Sequence, residues 1–417
     1  MTPLAPFLGL LSLAMLSFAQ PQRLTLADAE ALALRNHPAL ASARFTAEAQ
    51  AQVPQQVRSA FTPQVGLAVS GAAASERARI GAGQFTNPLV LSRAGFGGNF
   101  SQLLYDGGRT KLLTEGAIAR AKSEAEMSHV TRAQVLLQVR QAYFAALRTQ
   151  AVLRVATPPA IVPSGDKLQP GLDAISAEIA VAEAGLKGFQ ARNDAQAALA
   201  DLATAVGLAQ PADWLLEDPP APSPLLSDRR SLLALAIRHR PEIAARRLEL
   251  EAAQRLVAAE GRLTKPSISG FGVAGVVPAH VMGYEKDFYA ATGLTLNLKF
   301  LNGGLFAARR EEAALRARAA EQRLKELENR LAHDLSIAFL NAQTAFERLV
   351  LSNLLLKRAN LSLELAQARH ARGVSPISEL SQAQLERATA EIQQASARYD
   401  YGSQVAVLNF QLGVDFN

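Results

Sequence analysis

The fold of this chain is decided by a stretch that occurs twice, LALRNHPAL at residues 32–40 and LAIRHRPEI at residues 235–243. Three further pairs follow in the same order: LYDGG at 104–108 with FLNGG at 300–304, Gly171-Leu172 with Gly373-Val374, and Gly207-Leu208 with Gly413-Val414. Landmarks that recur in one order indicate an internal repeat. We therefore assign 20–207 to a first structural repeat, 208–226 to a Pro-rich linker and 227–417 to a second structural repeat.

Each repeat is expected to begin with a helix and continue with two strands. Ala, Leu, Glu and Arg dominate about 26–60 and 232–263, a helix-forming composition, and Pro54 is expected to bend or end the first helix early. Beyond Pro63 and Pro266 the composition changes to Val, Gly, Ser and Phe, which is typical of strands.

The strand pattern is clearest just before the second Gly-Gly pair, where apolar Leu294, Leu296, Leu298 and Phe300 alternate with polar residues. Such a strand has one apolar and one polar face. It fits a membrane barrel, and by this pattern alone it fits a half-buried strand of a soluble protein equally well.

A glycine pair follows the strands in each repeat, and helical periodicity begins directly after it. We predict that Gly107, Gly108, Gly303 and Gly304 form strand-to-helix junctions, because glycine accepts the backbone dihedrals of an abrupt change of direction. Simple turns would explain these residues equally well. Their identical position in both repeats favours the junction.

The segment from Leu305 to His370 has few helix breakers and predicts a helix of about 100 Å. Its apolar residues follow a coiled-coil spacing: Leu324, Leu327, Leu331, Leu335, Ala338, Ala342, Phe346 and Leu349. The chain is expected to turn at Gly373, with Ser375 as N-cap of a returning helix. The first repeat departs from this pattern, because prolines predict irregular structure over about 156–169.

The composition excludes several kinds of protein. The chain has no Cys, so disulfides and thiolate chemistry are ruled out. Its net charge of +6 comes from Arg and Glu interspersed along helical stretches, without the basic block expected of a nucleic-acid-binding protein. The six His show no metal-ligand spacing, and no catalytic motif or cofactor site is expected. One literal G-x-G-x-x-G, at 270–275, lies in a strand-like context that does not suit a dinucleotide site.

The N-terminal residues 1–19 are apolar and are interpreted as a secretory signal peptide, although no basic residue precedes the apolar run. Four strands per chain are too few to close a membrane barrel, since closed barrels start at about eight strands. Open strand edges in lipid leave backbone groups unpaired, which favours assembly of several copies. Three copies would supply twelve strands and twelve long helices.

These features resemble the TolC-like outer membrane efflux proteins over nearly the whole mature chain. The most specific marks are the stretch at 36–40, the junction at 104–109 and the turn at 373–376. The resemblance implies a mainly α chain with membrane β structure, in which a homotrimer forms a 12-stranded barrel in outer membrane lipid and a periplasmic α-helical tunnel. It also implies a periplasmic adaptor protein and an inner-membrane pump as partners, with efflux or type I secretion as the function.

By the same resemblance, the tip of the second helical hairpin would contact the adaptor through Arg369, Arg372, Gly373, Val374 and Ser375. The two arginines are expected to make this tip basic. One alternative is a periplasmic adaptor or scaffold with coiled-coil hairpins, although adaptors usually carry one hairpin and not two. The other is an envelope enzyme that uses the coiled coil as a spacer.

Overall fold

The computed structural model describes residues 22–72, 93–156, 172–210, 214–220, 229–276, 288–299 and 301–414. Within these residues the elements follow in the order β1 (Gln22–Leu24), α1 (Leu26–Asn36), α2 (Pro38–Arg58), β2 (Gln64–Ala72), β3 (Arg93–Tyr105), α3 (Arg109–Ala156), α4 (Leu172–Ala205), β4 (Trp214–Leu216), α5 (Arg229–His239), α6 (Pro241–Glu260), β5 (Ser267–Val276), β6 (Phe288–Asn297), α7 (Leu305–Ala371) and α8 (Ile377–Leu412). The predicted signal peptide at 1–19 lies outside the described residues. So does the predicted irregular stretch, apart from Ala156 at its start.

The chain divides into two compact units. The first comprises Met1–His37, Val135–Leu225 and Asn341–Val407, and the second comprises Pro38–Gln134, Leu226–Leu340 and Leu408–Asn417. Each unit takes segments from both sequence repeats, so the repeat is a property of the chain order and does not mark two separate domains.

Four long helices dominate the chain, which confirms the mainly α class. The longest, α7, has 67 residues and is therefore about 100 Å long, as predicted. Its expected seam is confirmed, because Leu331, Leu335, Ala338 and Ala342 are buried. No helix among the described residues is both long and apolar enough to cross a membrane.

The helices that begin each repeat are interrupted, contrary to expectation. His37 and Arg240 have extended backbones, with ψ of 120° and 121°, because each precedes a proline that disfavours the helical conformation. Of the two effects expected of Pro54, the end of the helix is wrong, because Pro54 lies inside α2, which continues to Arg58, and the bend stays a prediction. None of the residues of α2 is buried, so water can hydrate the carbonyl group that Pro54 leaves unpaired.

The second unit contains the four predicted strands in one antiparallel sheet, in the order β2-β3-β5-β6. The register pairs Val65 with Phe100, Phe100 with Gly272, and Gly272 with Thr292, and it shifts once at a bulge between Leu103 and Tyr105. Among the described residues, strands β2 and β6 each have one neighbour, so both edges of the described sheet are open.

The first unit contains a small parallel ladder of β1 and β4 that the sequence pattern did not predict. Strand β4 falls inside the segment interpreted as a Pro-rich linker. The Tyr143 hydroxyl lies 2.8 Å from the carbonyl oxygens of Leu24 and Glu217 and donates its proton to one of them. The Tyr399 hydroxyl donates to the Asp218 carboxylate at 2.6 Å. The segment is therefore fixed to the helices.

Candidate functional site

One face of the four-stranded sheet is apolar and exposed. In β2, Val65, Leu67 and Val69 are 74%, 89% and 88% exposed. Because paired residues of neighbouring strands point to the same side, the register adds further exposed residues to this apolar face: Phe96, Phe100, Phe288, Leu294 and Leu296. A monomeric protein in water rarely exposes so large an apolar patch.

The opposite face, called here the polar face, carries mainly small and uncharged side chains. Its hydrogen-bonding residues are Gln64, Ser70, Asn99, Ser101, Ser267, Ser269, Thr295 and Asn297. Apart from Arg93, the first residue of β3, the four strands contain no Asp, Glu, Lys, Arg or His. A sheet with one apolar face and one mainly uncharged polar face suits a boundary between lipid and water.

The G-x-G-x-x-G at 270–275 lies within β5 and therefore not at the start of a helix. Gly270 and Gly272 belong to the apolar face, where an added Cβ would be 3.7–3.8 Å from its nearest neighbours, an ordinary contact. Gly275 belongs to the polar face, where an added Cβ would be 2.5 Å from the Tyr289 hydroxyl oxygen. The pattern is thus a feature of a strand, as the sequence context indicated.

The two Gly-Gly pairs lie between strand and helix. Gly107 and Gly108, with φ of 68° and 84°, separate β3 from α3, and Gly303 and Gly304, with φ of 58° and 82°, precede α7. All four φ values fall in the left-handed region that favours glycine. At Gly107 the neighbouring chain also approaches closely, because an added Cβ would be 2.5 Å from Cβ of Lys265.

Two contacts at the first junction were not foreseen from the sequence. The Asp106 carboxylate accepts the backbone N–H groups of Gly108 at 3.0 Å and Thr110 at 2.6 Å, and so caps the start of α3. Asp directly before a helix is a recognisable cap, so this contact could have been found. The Arg109 guanidinium pairs with the Glu260 carboxylate at 2.8 Å, and Glu260 is only 10% exposed. These partners are far apart in sequence, and no local pattern joins them.

The positions of Arg109 and Glu260 at helix ends explain why the two charges pair. Arg109 is the first residue of α3 and Glu260 the last residue of α6, so each charge lies at the end of its helix where the dipole disfavours it. Each therefore compensates the other. Removing Arg109 would leave the buried Glu260 carboxylate uncompensated, a change that generally destabilises a protein strongly.

The hairpin tip turns as predicted at Gly373, whose φ is 71°. Its N–H donates to the His370 carbonyl, and the Val374 N–H donates to the Arg369 carbonyl, which together form a Schellman motif. The predicted N-cap role of Ser375 is wrong. Its hydroxyl oxygen is buried and has no hydrogen-bond partner among the described residues, and the first turn of α8 instead uses the carbonyl of Pro376.

The charge of the tip is also smaller than expected. The Arg369 guanidinium forms an ion pair with the Glu379 carboxylate at 2.9 Å, so only the Arg372 charge is without a partner in the described part of the tip. Val374 is 67% exposed, which leaves an apolar side chain at the turn. The tip is therefore less basic than predicted, with one unpaired arginine, Arg372, close to the exposed Val374.

The described residues contain no cluster of three or more His, Asp or Glu placed to hold a metal ion. Comparison with known proteins gives a family match: the model of the family described as outer membrane efflux protein matches residues 31–158 and 232–414. No curated protein matches the chain.

Three solved structures have the same fold. The outer-membrane channel OprN has a TM-score of 0.74 at 19% identity, covering 93% of this chain and 89% of its own. The MtrE outer membrane channel of Neisseria gonorrhoeae, in its open state, has a TM-score of 0.73 at 19% identity, covering 93% and 88%. The CmeC outer membrane channel of Campylobacter jejuni has a TM-score of 0.73 at 15% identity, covering 99% and 93%.

Proposed function

Because the chain belongs to the outer membrane efflux protein family, we propose that it forms a homotrimer that serves as the exit duct of an efflux or secretion system. Membership of this family makes the protein an outer-membrane efflux channel. The proposal concerns how the copies assemble, which partners they contact and what passes through them.

The open edges of the sheet carry this proposal. In the part of the chain that the structure describes, strands β2 and β6 each have one neighbour, and the apolar face between them is exposed. In lipid every unpaired backbone group costs several kcal/mol, so an open four-stranded sheet could not persist there. Pairing β6 of one copy with β2 of the next satisfies both edges. Three copies then give a closed barrel of twelve strands, an even number within the range of such barrels.

The helices would continue this duct on the periplasmic side. With α3, α4, α7 and α8 from each copy, three copies supply twelve long helical segments for a tunnel. The junction glycines support this arrangement, because their left-handed φ values allow a tilted strand to become a helix within a few residues.

An inner-membrane pump and a periplasmic adaptor are the proposed partners. The chain carries no nucleotide-binding motif in its sequence, so we infer that a partner supplies the energy for transport. The turn around Arg372, Gly373 and Val374 is the proposed contact for the adaptor. The alternative that this chain is itself an adaptor is not favoured, because its family consists of outer-membrane channels.

The cargo would be small molecules in an efflux system or proteins in a type I secretion system. We infer no catalytic step, since passage through a water-filled duct changes no bond. Members of the family act as channels, and the absence of enzymatic activity in this chain stays a prediction.

Reconstitution of the purified protein in a planar bilayer tests the proposal. We expect discrete, stable unit conductances from a species whose mass corresponds to three copies and which dissociates on boiling in SDS. A correctly folded trimer without conductance would contradict the duct, and a stable species of another copy number would contradict the trimer.

A further inference from the structure

Two large aromatic residues interrupt the small, uncharged character of the polar face. Phe271 in β5 and Tyr289 in β6 are 42% and 45% exposed, whereas most of their neighbours on this face are Gly, Ala, Ser, Thr or Asn. In the proposed barrel this face lines the water-filled lumen. Each ring would then occur three times around the wall.

The end of the Phe271 ring lies over its cross-strand partner, Gly293, where glycine leaves room for it. The register pairs Phe271 with Gly293, and a Cβ added at Gly293 would be 2.7 Å from Cζ and 2.8 Å from Cε1 of that ring. Ordinary carbon–carbon contact is about 3.5–4.0 Å, so any side chain at residue 293 must displace the ring by about 1 Å or more. Since the ring covers the wall at this point, the displacement is toward the lumen.

Tyr289 is seated in the same way. A Cβ at Gly275 would be 2.5 Å from the Tyr289 hydroxyl oxygen, and one at Gly97 would be 2.7 Å from it. The Tyr289 side chain therefore extends across two neighbouring strands against bare backbone. At these two glycines an added Cβ would also meet backbone oxygens, at 2.6 Å and 2.7 Å, so Gly293 offers the cleaner substitution.

We propose that Phe271 and Tyr289 set the free bore of the barrel, and that Gly293, Gly275 and Gly97 let the two side chains lie close to the wall so that the bore stays wide. This inference rests on the proposed trimeric barrel. Apart from Arg93 at the start of β3, the four strands contain no Asp, Glu, Lys, Arg or His, so Phe271 and Tyr289 are the largest uncharged side chains on this face. The bore of the barrel then limits the width of the solutes that pass.

The test compares Gly293→Ala with Gly272→Ala, each measured as unit conductance and as the largest neutral polyethylene glycol that enters the pore. Gly272 is a matched control, because it lies on the apolar face and an added Cβ would be 3.8 Å from its nearest neighbours. We expect Gly293→Ala to lower the conductance and the polymer size limit, and Gly272→Ala to leave both unchanged. Neutral polymers avoid any influence of the charges at the hairpin tip.

Phe271→Ala alone is expected to widen the bore, and Gly293→Ala is expected to have no further effect in the Phe271→Ala background. A Gly293→Ala effect that persists without the ring would overturn the inference, and so would a Phe271→Ala pore of unchanged size. The Phe271→Ala measurement decides the matter by itself if Gly293→Ala does not assemble. If the wild-type trimer conducts and the variants have the same conductance and size limit, only the inference is contradicted. If the wild-type trimer never conducts, the proposed function is contradicted.

Discussion

At the scale of single residues, a glycine lies against the break between two helices in each repeat. Gly207, just beyond the end of α4, has a φ of 82°, and an added Cβ would be 2.7 Å from Cα and 2.9 Å from N of His37. Gly413, beyond α8, has a φ of 76° and lies against Arg240 in the same way, with the nearest atoms at 3.2 Å. The repeated sequence thus places a glycine against each proline break.

We predict that Gly207→Ala destabilises the protein more than Gly108→Ala does. Both residues have left-handed φ values, and this strain costs about 1–2 kcal/mol for a residue with a side chain. Gly108 has nothing within 4 Å of an added Cβ, so it bears the strain alone. Gly207→Ala must also displace the His37 backbone, which brings its cost to roughly 3 kcal/mol or more. Thermal unfolding followed by the helical circular dichroism signal measures both, and equal melting temperatures would contradict the argument.

At the scale of elements, the sequence predicts long features better than short ones. The seam of α7 repeats over many turns, so its period identifies the helix without reference to the rest of the chain. The ladder of β1 and β4 has three residues in each strand, too few for an alternation to be recognised. Its stability comes instead from distant groups, chiefly Tyr143, which lies on α3.

Tyr143→Phe tests how much this distant hydroxyl contributes. Burial, the largest cause, and nearby carboxylates together raise the pKa of Tyr143 to about 12, although the hydrogen bond at the Glu217 carbonyl acts in the opposite direction. An ordinary tyrosine in the unfolded chain has a pKa of about 10. The contribution of the neutral hydroxyl is therefore fully present below about pH 10 and is lost as the pH rises toward about 12.

We expect Tyr143→Phe to lower the stability by about 1 kcal/mol at neutral pH, the usual net value of one hydrogen bond. The difference between wild type and variant should shrink and then reverse above about pH 10, because phenylalanine has no proton to lose. Urea titrations of both proteins at neutral and alkaline pH give this difference directly. A difference that stays constant with pH would show that the hydroxyl is not held in its neutral form.

At the scale of the whole molecule, the sequence was sufficient for the class of fold and for the four-stranded sheet. Alternation along β6 and the repeated glycine pairs carried that prediction, since both are local patterns. The buried pair of Arg109 and Glu260 and the pairing of Arg369 with Glu379 depend on three-dimensional proximity, which periodicity does not encode. The tip was therefore predicted to be more basic than it is.

Which face of the sheet meets water in the assembled protein can be tested with two adjacent residues of β6. Thr295 belongs to the polar face and Leu294 to the apolar face, and both are exposed in the single chain. The chain has no cysteine, so Thr295→Cys and Leu294→Cys each introduce a unique thiol.

In reconstituted channels, a charged, membrane-impermeant thiol reagent is expected to lower the conductance of Thr295→Cys, because water reaches that side of the wall. Leu294→Cys should be unaffected in the bilayer and should react only after denaturation, since a thiol in hydrocarbon forms little thiolate. Modification of Leu294→Cys but not Thr295→Cys would reverse the assignment of the two faces, and with it the position of Phe271 and Tyr289 in the lumen.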